Sequence, residues 1–578
     1  MQKKWRILSP DSKQVSMLAD SLGCQPAVAA ALINRGIHSP DHATAFLEPS
    51  LAHVRSPFLM KDVGRAVERI LLAVRRREKV LIFGDYDADG ITATALLFEF
   101  LAYLDADVDC YIPDRLTEGY GLSRDHIENR AIPDGISLII TVDCGMSSFE
   151  AVSAASRAGI DVIITDHHEP PPLIPEAVAV LNPKQPDCRS GFSWLAGVGV
   201  VFNLILALRK RLRDEGFWDE RPEPNLKAAC DLVALGTVGD MVPLVRENRI
   251  YVKAGIEVIA SDPRPGIKAL LGVCRLLDRP FNARDIAFRL APRLNAAGRL
   301  RHASTALRLL TTSDVETAHA IAKELNQQNA KRHEIEKHIL SEVVQRLENN
   351  PKLLEQRTLV LDQKGWHRGV IGIVASRLVD RYNRPAVVIA VADGIGKGSA
   401  RSPDGFDLFE GFKGCARHLE KFGGHKAAAG LTLRAENIPA FRRDFESIVC
   451  QKTRPEDFVP ELVIDREIPA SDVSAELADQ LEGLAPFGKG NPEPLFILSD
   501  IEILSTRTVG SQHLQMRLRP SNPPRLNRAK PLDAILFNRG AVAPQPGHLC
   551  HIACHVRWNR WLDQERIQLV IRDWRGVH

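Results

Sequence analysis

The sequence predicts an α/β protein: a parallel-sheet core, a long connecting helix, a second smaller α/β domain and a C-terminal small β-barrel. Three observations carry this. Short β-branched runs alternate with helix-periodic stretches over 56–275 and again over 355–452, the pattern of βαβ units. Residues 313–350 are highly charged and contain neither Gly nor Pro. Beyond 453 the apolar runs are short and separated by Pro-, Asn- and Gly-rich turns, as in small barrels.

Residues 1–55 read as a helical, polar N-terminal segment, broken at Ser39-Pro40 and Glu48-Pro49. KVLIFG (79–84) reads as a strand, followed by a Gly-bearing loop and a helix over 91–104. VDCYIP (108–113), SLIITV (137–142) and DVIIT (161–165) are further strands, and DLVALGTV (231–238) is a similar β-like run. The apolar stretch Trp194 to Leu208 is too short to span a membrane and contains Asn203 and two glycines, so a buried helix explains it. Residues 276–354 form a helical linker with one motif-bearing loop; their charged part, 313–350, is one long helix or two in series, and a helix polar over most of its surface can bridge domains. In 355–452, RTLVLD and PAVVIAVA flank a Gly-bounded helix at 369–381. The runs of 453–578 include ELVIDREI, HLQMRLR and RIQLVIRDW.

Composition bounds the function. With 45% apolar and 25% charged residues in 578, the chain is neither disordered, collagenous nor a membrane protein. The ten cysteines are scattered without a CxxC pair, which speaks against a zinc ribbon or a thioredoxin motif and for buried thiols in a reducing cytoplasm. The start, MQKKWRILSPDSKQ, has charge without an apolar stretch behind it, so no signal peptide is expected. A net charge of only +3 first weighs against a nucleic-acid partner. Its distribution reverses that: 501–578 hold 12 Lys+Arg against 5 Asp+Glu, a net +7, and the first 500 residues therefore carry −4.

The strongest chemical signal is Gly84-Asp85-Tyr86-Asp87-Ala88-Asp89-Gly90, three alternating carboxylates between a strand and a helix. Sites in open α/β sheets form beyond the carboxyl ends of the strands. Like charges so close repel, and a divalent cation is the simplest compensation. Asp89 could instead cap the helix, with the others solvated. Three further features repeat the placement: Asp143 after SLIITV, Asp166-His167-His168 after DVIIT, and Gly239-Asp240 after DLVALGTV. Oxygen ligands mixed with imidazole suit Mn²⁺ better than Ca²⁺, with Mg²⁺ an alternative. About six ligands suffice for two ions that promote in-line displacement at phosphorus.

DYDADG, VDCG, TDHHEP and VGDMVPL resemble the DHH phosphoesterase superfamily. APRLNAAGR (291–299), GWHRGVIG (365–372), GSARS (398–402), FGGH (422–425) and LAPFGKGNPEP (484–494) resemble its single-strand-specific 5′→3′ DNA exonucleases, over nearly the whole chain from about residue 56. The resemblance implies that Asp87, Asp89, Asp143, His167 and Asp240 hold two metals, with Asp143 bridging and Asp85 a less certain ligand. It implies that His168 faces the scissile phosphate and that Asp166 orients the histidines. The 355–452 segment resembles a DHH-associated domain in which His367, Arg368, Ser399, Arg401, Gly424 and His425 contact nucleotide phosphates, joined by Arg293, Asn295 and Arg299. Arginine forks match phosphate independently of any family, and Gly423 and Gly424 would let backbone approach an anion closely. Trp366 packs or stacks on a base, and packing is favoured. The tail resembles an OB-fold, with Arg517, Arg519, Arg525, Arg528 and Lys530 as strand contacts. Also implied are roles in recombination, DNA repair and mismatch repair, a monomer, and single-strand-binding protein and a RecQ-type helicase as partners. A small-substrate phosphoesterase of the same superfamily and a silent replication scaffold are the rival readings.

Overall fold

A computed structural model of the protein describes residues 3–115, 117–510, 512–521, 531–538, 544–561 and 564–576. The chain divides into two compact units, 1–50 with 460–578, and 51–459. It opens with β1 (Lys4–Ile7) and the helices Ser12–Leu22, Pro26–Asn34 and Pro40–Leu47.

The larger unit begins with the expected parallel sheet. β2 (Val80–Gly84), β3 (Val108–Tyr111), β4 (Leu138–Val142), β5 (Asp161–Thr165) and β6 (Ala179–Leu181) lie in the order β3-β2-β4-β5-β6. Every pairing is parallel. Val80 and Ile82 enter one core, beneath the helices Val63–Arg76, Ala88–Tyr103 and Gly197–Asp214. Leu81 and Phe83 enter the other, beneath the helix Phe149–Arg157. Helices on both faces are why these strands read as continuous apolar runs rather than alternating ones. The chain runs outward from β2 to β3, then returns to the far side of β2 as β4. The crevice between the ends of β2 and β4 is therefore a topological switch point.

One strand-like run is a helix. DLVALGTV lies within the helix Cys230–Gly239, of which Cys230 through Val238 are buried. An apolar segment buried on all sides carries no period to distinguish helix from strand. The stretch from Trp194 does form a buried helix, Gly197–Asp214. Among the described residues, no single helix is long and apolar enough to cross a membrane.

The charged stretch is one helix, Val315–Asn349, capped by Asp314 accepting from the Thr317 amide. Its 35 residues span about 52 Å at 1.5 Å each. It is less polar in effect than its composition suggests. Ala318, Ile321, Ala322 and Leu325 enter the first core, and Ile339, Val343 and Leu347 enter that of the second α/β domain. There β7 (Leu359–Lys364), β8 (Ala386–Ala392), β9 (Ile395–Arg401), β10 (Lys421–Gly424) and β11 (Ala428–Arg434) form a sheet ordered β10-β11-β9-β8-β7. Trp366 packs in this core and donates to Glu342 at 2.8 Å, so it is no free stacking platform.

In the smaller unit, β12 (Glu461–Ile464) pairs in parallel with β1. β13 (Arg466–Glu467) leads into β14 (Phe496–Val509), β15 (His513–Pro520), β16 (Leu532–Leu536), β17 (Leu549–Trp561) and β18 (Gln564–Gly576). The order β14-β15-β16-β18-β17, with β17 returning to β14, closes a five-stranded barrel. The N-terminal helices belong to this unit: Val15, Leu18 and Ala27 to Ile33 share its core. That core explains why the segment is less polar in the fold than along the chain.

Candidate active site

The loop after β2 puts three aspartates to three uses. Asp87 caps the helix Ala88–Tyr103, accepting from the amides of Asp89 and Gly90 at 2.9 and 3.2 Å. The capping role thus falls to Asp87, not Asp89. Asp89 points back and accepts from the Gly197 and Val198 amides at 2.6 and 2.8 Å, the N-terminus of another helix, where an anion is favoured. Asp85 is buried, and its Oδ1 has no hydrogen-bond partner.

Asp143 leaves β4 with φ at +62°, a left-handed conformation that aspartate tolerates better than most residues. Its Oδ1 lies 3.1 Å from His167 Nε2 and accepts no hydrogen bond. His167 Nε2 is also 3.7 Å from Asp89 and 3.6 Å from Asp240. Asp240 caps the C-terminus of the helix Cys230–Gly239 instead of ending a strand. Asp166 is fully engaged: it accepts from the His167 and His168 amides, from His168 Nδ1 at 2.7 Å and from the Met146 amide. It holds the His168 ring through Nδ1 and meets His167 only at its backbone amide.

Donor atoms gather in overlapping sets, each within 4.8 Å: Asp85, Asp87 and Asp143; Asp89, His167 and Asp240; Asp143, His167 and His168. Asp143 and His167 each belong to two of these sets. Burial and then the Asp87 charge push the Asp89 carboxyl up to about 7. Burial followed by Asp89 pushes Asp240 up to about 8. Asp85 and Asp143 are raised well above the usual carboxylate range, also by burial first. Burial and then His168 lower His167 to about 3, so its ring is neutral and free to ligate. Burial opposes charge on His168, but the hydrogen bond to Asp166 outweighs it and raises the ring to about 9. Repelling carboxylates, unpartnered oxygens and a neutral imidazole are a donor set fitted to Mn²⁺ or Mg²⁺.

Facing this centre is a basic cradle. Arg299 is half-buried, donates to the Gly369 carbonyl at 3.1 Å, and is lowered to about 9 by burial and then by Arg115, Arg332 and Arg401. Arg401, at the end of β9, donates to Ser399 Oγ at 3.3 Å and is lowered by burial and Arg115. The His425 ring stacks on His168 with centroids 6.3 Å apart, and Gly424 before it has φ +138°. A Cβ on Gly424 would lie 2.4 Å from the Ala428 carbonyl oxygen, so only glycine fits that turn.

Several expected contacts are placed differently. Asn295 spends its carbonyl on the Ala88 amide at 2.7 Å and so braces the acidic loop. Arg293 turns to Asn326, away from Asn295 and Arg299. His367 accepts from the Gly369 amide at 3.1 Å, shaping its own loop. Arg368 is exposed. Arg517 and Arg519 lie on the outer face of β15, Arg519 paired with Glu502 at 2.8 Å. Arg525, Arg528 and Lys530 lie outside the described residues. Three residues were missed. Arg115 sits over the Tyr86 ring at 4.9 Å, and Tyr120 donates to the Asp143 carbonyl at 3.2 Å. Lys184 acts on the charges of His167, Asp240 and His425. Each is a lone residue in a loop, with no spacing to single it out.

Acidic and imidazole ligands at the switch point of a parallel sheet, faced by an arginine cradle that a second α/β domain completes with Arg401, define a DHH-type phosphoesterase. Residues 79–237 match the DHH family N-terminal domain, 350–451 the DHHA1 domain and 464–573 the RecJ OB domain. The single-stranded-DNA-specific exonuclease RecJ of Bacillus subtilis is 38% identical over 577 residues, 99% of this chain and 70% of that one. Its Escherichia coli counterpart is 38% identical over 94% of this chain and 95% of its own. The crystal structure of RecJ from Thermus thermophilus in complex with Mn²⁺ superposes with a TM-score of 0.83 at 31% identity, covering 100% of this chain and 80% of that one. The chain belongs to the RecJ family of exonucleases.

Proposed function

We propose that the protein is a single-strand-specific DNA exonuclease that releases mononucleotides from the 5′ end by metal-dependent phosphodiester hydrolysis. The carrying observation is the carboxylate–imidazole centre facing a cradle of guanidiniums, with His168 and His425 stacked where the two meet.

Asp85, Asp87 and Asp143 would hold one cation, and Asp89, His167 and Asp240 the other. Bound there, divalent ions neutralise the phosphodiester and activate water. Asp166 accepts the Nδ1–H of His168 and so fixes its ring. The raised affinity of His168 for a proton keeps it a donor to a phosphate oxygen. Arg115, Arg299, Ser399 and Arg401 would grip the terminal phosphate, which puts the cut one nucleotide in. The long helix Val315–Asn349 packs into the cores of both α/β domains and so would set their separation; a narrow gap there would admit one strand and not a duplex. The outward basic face of the barrel would track the strand.

Ten cysteines without a disulfide fit a cytoplasmic protein. Recombination and repair, mismatch repair included, fit an enzyme that removes single strands, with single-strand-binding protein and a RecQ-type helicase as suppliers of substrate and a monomer as the working form. The test is Asp143→Ala, assayed with Mn²⁺ on end-labelled single strands of both polarities and on short RNA. Mononucleotide release from 5′ ends of DNA alone, abolished in the variant, is expected. Undiminished cleavage by the variant overturns the two-metal assignment.

A further inference from the structure

The helix Ala291–Leu300 has a second face. Asn295 and Arg299 serve the acidic loop and the cradle. Arg293 lies about 200° around the helix from Asn295 and lines a separate cavity of about 350 Å³. Phe288, Arg289, Asn326, Asn329 and His333 share its wall with Arg293; among the described residues no acidic side chain lines it, and none of the metal-centre residues does.

Arg293 is held in place without a carboxylate partner among the described residues, and Arg289 is only loosely paired. Arg293 donates Nε to Asn326 Oδ1 at 3.0 Å and Nη1 to the Arg289 carbonyl at 2.6 Å. Arg289 donates to the Cys274 carbonyl at 3.3 Å. Its carboxylate neighbour Asp285 stands off at 3.8 Å and is already bound by Arg279. Two guanidiniums at an open cavity, Arg293 held by two hydrogen bonds and Arg289 by one, favour an anion. The volume exceeds what a bare phosphate fills. Phe288 is 72% exposed, a flat apolar ring with the Arg284 guanidinium 5.8 Å from its centroid. Asn329, only 6% exposed, gives its carbonyl to Arg332 and keeps its amide hydrogens for another acceptor. Phosphate donors, amide edges and an aromatic ring together match one ligand class, a nucleotide.

We propose that this cavity is a second nucleotide-binding site outside the hydrolytic centre, with the phosphate on Arg289 and Arg293 and the base against Phe288. Its occupant is a nucleotide of the bound strand or a released mononucleotide; only this choice of source rests on the exonuclease reading. The probes are deoxyadenosine 5′-monophosphate and a long single strand, both titrated by calorimetry in EDTA into the full chain. Arg289→Gln and Phe288→Ala are the cavity variants, with unchanged melting as the folding control. Arg401→Gln removes the cradle as a competing site. If the source is free product, the mononucleotide binds the Arg401→Gln protein, and adding Arg289→Gln weakens it about tenfold, the scale of one charge-assisted contact. If the source is the strand, both cavity variants weaken strand binding, and Arg289→Gln alone also lowers its salt slope by about one, while Mn²⁺-dependent cleavage of a dinucleotide is unchanged. Unaltered binding of both probes in both variants overturns the proposal. A wild-type protein that cleaves no dinucleotide or strand sinks the exonuclease reading instead and leaves the mononucleotide titration to decide the cavity.

Discussion

Mn²⁺ binding to the metal-free protein should release protons at neutral pH and far fewer in mild alkali. Asp89 and Asp240 are held near 7 and 8 by burial and by their neighbours' charges. At pH 7 those values leave about 0.5 and 0.9 of a proton bound, and at pH 9 about 0.1 in total. Metal ligands must be deprotonated, so each proton still bound is displaced as the ion enters. His167 adds none, since its ring is already neutral well below pH 7. Asp85 and Asp143 are raised in the same direction, by burial first. The difference between pH 7 and pH 9 is therefore about one proton per protein. Calorimetric titration with Mn²⁺ in two buffers of different ionisation enthalpy reads this count directly. Proton-neutral binding at pH 7, or equal release at both pH values, would refute the placement of these carboxylates in one buried cluster.

The same groups give a stability trend. Their folded pKa values exceed the unfolded value of about 3.9, so the folded state binds more protons in between, and stability of the metal-free protein falls from about pH 4 to about pH 8 before levelling. Melting in EDTA across that range checks the sign, and Mn²⁺ should restore more stability at pH 8 than at pH 6. Gly197→Ala places a Cβ 2.6 Å from Asp143 Oδ1; it should cost about 1–3 kcal/mol and weaken Mn²⁺ binding without removing a ligand, as read by melting and calorimetry. Glu336, 5% exposed, takes hydrogen bonds from Arg332 and Arg377. Glu336→Ala strands a buried guanidinium, and denaturant unfolding should show a loss of about 3–5 kcal/mol. Removing the barrel alone would bare the apolar helix Pro26–Asn34, so the fragment that should stay soluble is 51–459; its strand binding should be weaker, with a flatter salt dependence.

The acidic centre was legible because its parts stand at fixed places in a repeating pattern. Asp85, Asp143 and Asp166 each follow a buried β-branched strand, and a parallel sheet brings such strand ends together. Asp240 was found for a partly mistaken reason, since its run is a helix whose C-terminus reaches the same crevice. The cradle was half legible. Arg299, Ser399, Arg401 and His425 stood in quotable motifs, but motif membership does not say which way a side chain points. Arg293 and Asn295 are two apart on one helix and necessarily face apart. The union of β1 with β12 was not legible at all. Four residues at the N-terminus pair with four beyond residue 460, and no local pattern encodes so distant a partner.

The centre and the cradle are opposite electrostatic problems set side by side. Buried carboxylates raise one another's affinity for protons and are eased by cations. Arg299 and Arg401 are half-buried near each other and near Arg115, each made less willing to hold charge, and are eased by an anion. Neither cluster can ease the other outright, because the Arg299 and Arg401 side chains bond to a carbonyl and a hydroxyl rather than to the aspartates. A phosphodiester next to a terminal phosphate would meet both needs at once, with its diester against the cations and its terminus against the guanidiniums. The terminal group carries about −1.5 to −2 charge against −1 for an internal diester, so a crowded set of arginines gains most from the end of a strand. Exonucleolytic rather than internal cleavage then follows from charge as much as from shape. Arg401→Ala should accordingly narrow the preference for 5′-phosphorylated over 5′-hydroxyl ends more than it slows cleavage of either. An equal fall on both substrates would mean that the cradle serves general strand binding.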